Sequence, residues 1–306
     1  MSFCILKNER GIKFLRVSYA TAVEMNLKKG KINASNYTAY LLVGEKCLYN
    51  CSFCSKAKES SSEEDLLSRV KWPEVSTEDF VHNFNPGNFK RICIQVVSSL
   101  EYRTDLNYVL NFLKDKNIKV SVSIRPKNLE EVRLLFNKYL VDTVGIAIDS
   151  ANEKLFRKIK GGNFKIFNNL LIKASEEFPG KIATHIIVGL GESDEDIVDI
   201  LLKMKEHKII VSLFAFTPIK GTKLETHPRP TLERYRKMQY LHYIIEHYNV
   251  EKEAFTFDSK GNILQFPHFT INNEEMIKTS GCSWCTRPFY NEQPGKELYN
   301  VPIPRI

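Results

Sequence analysis

Residues 38–54 read TAYLLVGEKCLYNCSFC. An apolar, β-branched run at 38–44 predicts a buried strand. It is followed within a few positions by Cys47, Cys51 and Cys54, three of the seven cysteines in a 306-residue chain. A strand that delivers a thiol-rich loop at its C-terminal end has the layout of parallel α/β folds, which build their active sites at that edge. Structural zinc usually takes four ligands as two separated pairs, so three thiols in one loop make an incomplete tetrahedron. A cubane iron–sulfur cluster takes the same three thiolates, one per iron, and keeps its fourth iron open.

The pattern of the first strand repeats. RICIQVV (91–97), KVSVSI (119–124), TVGIAID (143–149), IATHIIVGL (182–190) and IIVSLFAF (209–216) read as five further strands, nearly continuously apolar as in strands buried on both faces. Helices are predicted between them from their starts. Ser76-Thr77-Glu78-Asp79 precedes one, Thr104-Asp105 another, Asn128 a third, and Ser193-Asp194-Glu195-Asp196 and Thr231 two more. Alternating strands and helices predict an α/β fold, a partial (β/α)6 TIM-like parallel barrel over 38–247; a closed eight-unit barrel would need roughly 250 residues for its repeats alone. Residues 1–37 form an N-terminal lead-in with a helix predicted at YATAVEMNLKKG. Residues 248–306 form a C-terminal extension with a hairpin around DSKGN (258–262) and a cysteine-bearing tail, TSGCSWCTRPFYNEQPGKELYNVPIPRI.

Composition sets wider bounds. Hydrophobic residues make up 43% of the chain, ordinary for a protein with a sizeable core. The N-terminal residues lack the apolar core of a signal peptide and no stretch approaches membrane-spanning length, so the expectation is a cytoplasmic protein without a membrane partner. An odd number of clustered cysteines argues for metal or redox chemistry rather than a disulfide framework. Lys and Arg outnumber Asp and Glu 44 to 36, a net charge of +8 that favours acidic partners without choosing among an acidic carrier, a phosphate-bearing molecule and RNA.

CLYNCSFC resembles the cluster motif of the radical S-adenosylmethionine (SAM) superfamily, including the aromatic Phe53 before the third cysteine. The resemblance implies a [4Fe–4S] cluster held by Cys47, Cys51 and Cys54. SAM binds at the open iron, and a low-potential donor such as a ferredoxin or flavodoxin supplies the electron that cleaves SAM to a 5′-deoxyadenosyl radical. HIIVGLGE (185–192) resembles the family's segment beside the adenine, which would put Val188, Gly189 and Leu190 against SAM; an ordinary strand-to-helix turn explains the glycines equally. Asp149 falls where related enzymes contact the SAM ribose, or caps the next helix. Arg125 either meets the SAM carboxylate or an anionic substrate, or lies on a surface loop. The family's Gly-Gly-Glu type segment after the second strand is absent here, so Gln95, Ser98 or Ser99 would have to hold the SAM amino group.

Within the superfamily, ICIQVV, HIIVGLGESDED and FAFTPIKGTKLE resemble the biotin and lipoyl synthase branch, which inserts sulfur into C–H bonds and needs a second iron–sulfur cluster. Biotin synthase holds that cluster with cysteines on three strands and an arginine. Here Cys93 is the one counterpart, with Val122 and Ala183 at the other positions, so a cluster of that type is not expected. Cys282 and Cys285 instead supply a C-x2-C pair, with Cys4 as a candidate third ligand and Ser280, Arg287 or an exogenous group as the fourth. A zinc knuckle, a redox dithiol and, for Cys4, a buried thiol are the competing readings. The tail resembles the ending of two-protein, archaeal-type lipoyl synthases. That implies an octanoylated carrier protein or peptide as substrate and a second radical SAM protein as partner. Outside that branch stand radical SAM enzymes of another outcome (methylation, rearrangement, RNA modification), and outside the superfamily a zinc-dependent nucleic-acid-binding module. His185, in the fifth strand, is either a site residue or a packed barrel histidine.

Overall fold

A computed structural model describes residues 14–293 and 295–305; Cys4 lies outside them. One eight-stranded sheet organises the chain. Its strands are β1 (Phe14–Val17), β2 (Thr38–Val43), β3 (Glu74–Ser76), β4 (Arg91–Val96), β5 (Lys119–Ser123), β6 (Thr143–Gly145), β7 (Ile182–Val188) and β8 (Ile210–Ala215). The spatial order is β8-β7-β6-β5-β4-β2-β1-β3. The six strands from β2 to β8, β3 excepted, are parallel neighbours, as the six predicted runs require. β1 and β3 add antiparallel pairing beyond β2. The lead-in therefore holds a strand as well as its helix, α1 (Tyr19–Glu24).

The helices on the outside are α2 (Thr77–Asn83), α3 (Tyr102–Leu113), α4 (Leu129–Tyr139), a short α5 (Glu153–Leu155) running into a π-helical turn (Phe156–Lys160), α6 (Phe164–Glu177), α7 (Asp194–Glu206) and α8 (Leu232–His247). Their starts follow side-chain chemistry. Ser76, Asn128, Asn163 and Thr231 each accept a hydrogen bond from a backbone N–H in the first turn, and Ser193 forms a capping box with Asp196. α3 begins at Tyr102 rather than after Thr104. Its N-cap, Glu101, makes no side-chain bond, and Tyr102 is held by burial and by a 2.6 Å bond to Glu131. The predicted hairpin at 258–262 forms, between Thr256–Phe257 and Ile263–Gln265.

The strands are buried on both faces, but the two faces differ in kind. Leu41, Ile94, Val122, Val144, Ile186 and Leu213 face the helices and join Leu106, Leu135, Leu171 and Leu201 in the main core. Each such side chain contributes about 1.5–3 kcal/mol of hydrophobic stabilisation. The alternating positions Cys93, Gln95, Ser121, Ser123, His185 and Ser212 line an interior cavity and are largely polar. Ala183, Ile187, Phe214 and Phe216 share that wall, so the interior is a mixed polar and apolar space rather than a packed core. β6 also stops at Gly145, earlier than the 143–149 run suggested. Asp149 instead takes a left-handed conformation (φ 63°) and makes an isolated bridge to Ile186.

The edge strands β8 and β3 do not pair with each other, and the C-terminal segment 280–291 runs from β8 across to β2. On one side the Leu213 N–H donates to Ser280 Oγ at 2.9 Å. On the other, Thr38 Oγ1 donates to the Trp284 carbonyl at 2.7 Å. Gly281 (φ 112°) is required at the crossing, because a Cβ there would fall 2.0 Å from Ser212 Oγ. An edge strand that would otherwise expose unpaired backbone is covered in this way.

Candidate active site

Gly44 follows β2 with φ 82°, and a Cβ there would lie 2.5 Å from the Val97 carbonyl oxygen. Only glycine turns the chain so tightly over β4, and the loop that follows carries Cys47, Cys51 and Cys54. The loop is fastened on all sides. Cys47 N–H donates to the Lys56 carbonyl (2.9 Å), Leu48 N–H to Ser98 (2.9 Å), Ser52 N–H to Ile159 in the π-helical turn (2.7 Å), and Leu224 N–H to Ser52 (3.1 Å). The three cysteines line a cavity of about 150 Å³ together with Tyr49, Gln95, Ser98, Arg125 and Lys160. Gln95 and Ser98, two of the three candidates for the SAM amino group, are therefore beside the cysteines.

The charge in this cavity is positive. Arg125 stacks 3.7 Å from the Tyr49 ring centroid and donates to the Gly161 carbonyl at 3.4 Å, while its buried Nη1 has no hydrogen-bond partner. Lys160 donates to Asp149 Oδ2 at 2.6 Å and to the Ala147 carbonyl, and the Cys51 thiol points at the Lys160 carbonyl at 3.8 Å. Burial pushes the Cys54 thiol up to about 12 and raises that of Cys51, which Lys160 partly offsets. Buried thiols beside cations become thiolates when a metal compensates them. A buried guanidinium nitrogen with no partner beside three thiols fits a cluster and its carboxylate-bearing ligand.

A second cavity of about 190 Å³ occupies the barrel interior and shares Cys54, Gln95, Leu67 and Ser123 with the first. Phe53, Asp149, Ile187 and Phe216 line it as well. So do Cys93, Cys282 and Cys285, three cysteines separated by up to 192 positions in sequence. His185 also faces this space, against Phe214 with ring centroids 5.0 Å apart, and burial lowers its basicity to about 4. Among the described residues, no three His, Cys, Asp or Glu side chains are drawn together around the position of a single metal ion.

The other predicted contacts fall elsewhere. Val188 is fully buried in the main core, against the helices, and the neighbouring Ile187 is the one that lines the interior. Leu190 packs with Leu155, Ile159 and Phe216. The Gly189 and Leu190 N–H groups donate to the Glu192 carboxylate at 2.7 and 2.8 Å, and the Gly189 carbonyl meets His227 Nε2 at 3.0 Å. Asn152 rather than Asp149 caps the helix after β6. Sequence reasoning missed Lys160, which nothing in KLFRKIKGG distinguishes from its neighbouring lysines, and Tyr40, hidden in the first strand.

The sequence profile of the Radical SAM superfamily matches residues 41–204, more than half of the chain. The chain belongs to the radical SAM superfamily. It is 27% identical over 192 residues to an uncharacterized protein of Methanocaldococcus jannaschii, covering 61% of this chain and 49% of that one. A biotin synthase of Methanococcus maripaludis is 25% identical over 184 residues (58% and 54%), and a probable GTP 3′,8-cyclase of Methanococcus aeolicus 22% over 259 residues (79% and 78%). The chain thus spans about half the length of the first two relatives. Two solved structures share the fold. Methylornithine synthase aligns with TM-score 0.50 at 15% identity over 74% of this chain and 67% of that one. Streptococcus suis SuiB bound to S-adenosylmethionine aligns with TM-score 0.51 at 18% identity over 74% and 50%. Membership brings a [4Fe–4S] cluster and SAM as the family's cofactors. No helix among the described residues is long and apolar enough to cross a membrane.

Proposed function

We propose that this radical SAM protein inserts sulfur into an unactivated C–H bond, with an octanoyl chain on an acidic lipoyl carrier protein or peptide as substrate. The supporting observation is the interior cavity, which has Phe53, Cys54 and Asp149 on its wall and also reaches Cys282 and Cys285. Cys47, Cys51 and Cys54 would hold the [4Fe–4S] cluster. When bound, that cluster and SAM would supply the radical chemistry for hydrogen abstraction, and a second iron–sulfur cluster would be the source of the sulfur.

The protein's own part is binding and exclusion of water. Arg125 and Lys160 provide the cationic wall suited to a carboxylate, Gln95 and Ser98 accept from an ammonium group, and Asp149 accepts from a ribose hydroxyl. Ile187, Phe214 and Phe216 give an acyl chain apolar contact. Lys58 and Lys220 are exposed on loops, and Lys158 on the π-helical turn, around the cysteine-bearing mouth, where they suit an acidic carrier. A ferredoxin or flavodoxin would provide the electron, and a second radical SAM protein the other sulfur insertion.

A second reading keeps the sulfur chemistry and replaces the carrier with a small free acid, as the biotin synthase relatives suggest. The test is to incubate the reduced protein and SAM with an octanoylated carrier peptide, then with a biotin precursor, and weigh the products by mass spectrometry. Added sulfur on the peptide is expected. 5′-Deoxyadenosine without sulfur on either acceptor, with the partner protein present, overturns the sulfur reading.

A further inference from the structure

Cys93 belongs to β4 and pairs in register with Tyr40 of β2 and Ser121 of β5. It lies one inward-facing position below Gln95. At about 3.3 Å per residue, it is roughly 13 Å along the strand from Val97 at the cysteine-loop mouth. The tail brings Cys282 and Cys285 to this same depth. The turn Cys282–Cys285 is closed by Cys285 N–H donating to the Cys282 carbonyl at 3.1 Å. It is pinned by Arg91, whose Nε donates to the Ser283 carbonyl at 2.9 Å, and by Tyr40. The Tyr40 hydroxyl lies 3.6 Å from Cys285 Sγ and accepts from the N–H groups of Thr286 (3.1 Å) and Arg287 (2.8 Å). The three thiols line one cavity.

The same wall holds buried polar atoms with nothing to bond. Arg91 Nη1, Arg287 Nε and Tyr290 Oη have no partner, although these side chains are 2%, 8% and 8% exposed and all three residues line the cavity. Leaving a buried donor unsatisfied costs about 1–3 kcal/mol, and more for a charged one, so a concentration of them marks a missing ligand. The donors are two guanidinium nitrogens and a phenol, and the nearby sulfurs are cysteines. That combination suits an anionic group bearing sulfur. The motif cysteines Cys47, Cys51 and Cys54 likewise line a cavity and are not drawn in around one ion.

We infer that Cys93, Cys282 and Cys285 are the protein ligands of a second iron–sulfur cluster at the tail-closed end of the barrel interior, with Arg91 and Arg287 as hydrogen-bond donors to it. The set replaces Cys4 with a cysteine from the barrel wall. Three thiolates leave one site of a cubane without a cysteine, and Arg donors near cluster sulfurs tune its potential. The inference rests on the sulfur-insertion reading for the cluster's purpose alone, because its presence and ligands are read without turnover.

The test is anaerobic reconstitution of the full chain followed by iron and sulfide counting and low-temperature EPR. Wild type is expected to hold about eight irons and Cys4→Ala the same, while Cys93→Ala, Cys282→Ala and Cys285→Ala each fall to about four. A Cys47→Ala/Cys51→Ala/Cys54→Ala variant retains about four irons and a reduced-cluster signal that Arg287→Lys shifts in field or potential. The far-UV circular dichroism of cluster-free Cys93→Ala, compared with that of cluster-free wild type, serves as the folding control. About four irons in wild type, stoichiometric zinc, or eight irons in Cys93→Ala with a loss in Cys4→Ala would each overturn the assignment. Eight irons with no sulfur in any product leaves the ligand set standing and defeats only the proposed reaction.

Discussion

The ammonium of Lys160 lies 2.6 Å from the carboxylate of Asp149, and the two side chains are only 6% and 12% exposed. Asp149 reaches this position because its left-handed backbone accepts from Ile187 N–H and donates to the His185 carbonyl, both at 2.8 Å. Removing one partner of a buried pair leaves an uncompensated charge, which typically costs about 3–5 kcal/mol. Lys160→Met is therefore expected to lower the urea midpoint of the cluster-free protein strongly. Lys160→Met/Asp149→Asn should recover much of that loss. Equal destabilisation in the single and double variants would mean that the pair is not coupled.

Arg125 is held from both sides, over the Tyr49 ring at 3.7 Å and by the Gly161 carbonyl at 3.4 Å, with Nη1 buried and unbonded beside the three motif cysteines. A charge-assisted bond to a carboxylate contributes about 1.5–3 kcal/mol. Arg125→Met is expected to weaken SAM binding by roughly 10–100-fold, measured by calorimetry on the reconstituted protein, with the iron content unchanged. Unaltered affinity would place the SAM carboxylate elsewhere.

Glu192 clamps the turn after β7. Its two oxygens accept from Gly189 and Leu190 N–H, and Arg234 joins it to Asp194 through contacts of 3.1 and 2.8 Å. Glu192→Ala strips the buried Leu190 N–H and the half-buried Gly189 N–H of their acceptor, an expected loss of roughly 1–3 kcal/mol in denaturant unfolding. Glu192→Gln keeps one acceptor oxygen and should fall between the two. A Glu192→Ala protein as stable as wild type would show that water replaces the carboxylate.

These clamps separate what the sequence made readable from what it did not. Ser76, Asn128, Ser193 and Thr231 cap helices through bonds within four residues, so the signal is local and was legible. Cys47, Cys51 and Cys54 are legible for the same reason. The polar interior was less so. Cys93, Gln95, Ser121 and Ser123 alternate with valines and isoleucines in short runs, and the apolar half dominates the pattern. The tail's place was not legible at all, because Thr38 meets Trp284 across 246 positions with no periodicity to announce it. Cys93 could be paired with Cys282 and Cys285 only once that crossing was seen.

His242 supplies a pH dependence away from the site. It is 4% exposed on α8, its Nδ1 has no partner, and burial lowers it from 6.5 to about 4 against the opposing pull of Glu246. A histidine with a depressed folded value binds its proton more readily in the unfolded chain. Its contribution is therefore complete above about pH 6.5 and is lost as pH falls from there toward 4. The difference between 6.5 and about 4, at 1.36 kcal/mol per unit, bounds the loss at roughly 3 kcal/mol. The expected result is a urea-unfolding free energy that declines across this window in wild type and declines less in His242→Phe, whose ring fills a similar space without titrating. Parallel slopes for the two proteins would assign the acid sensitivity to other groups, the first being Glu246, which faces both His242 and Arg305.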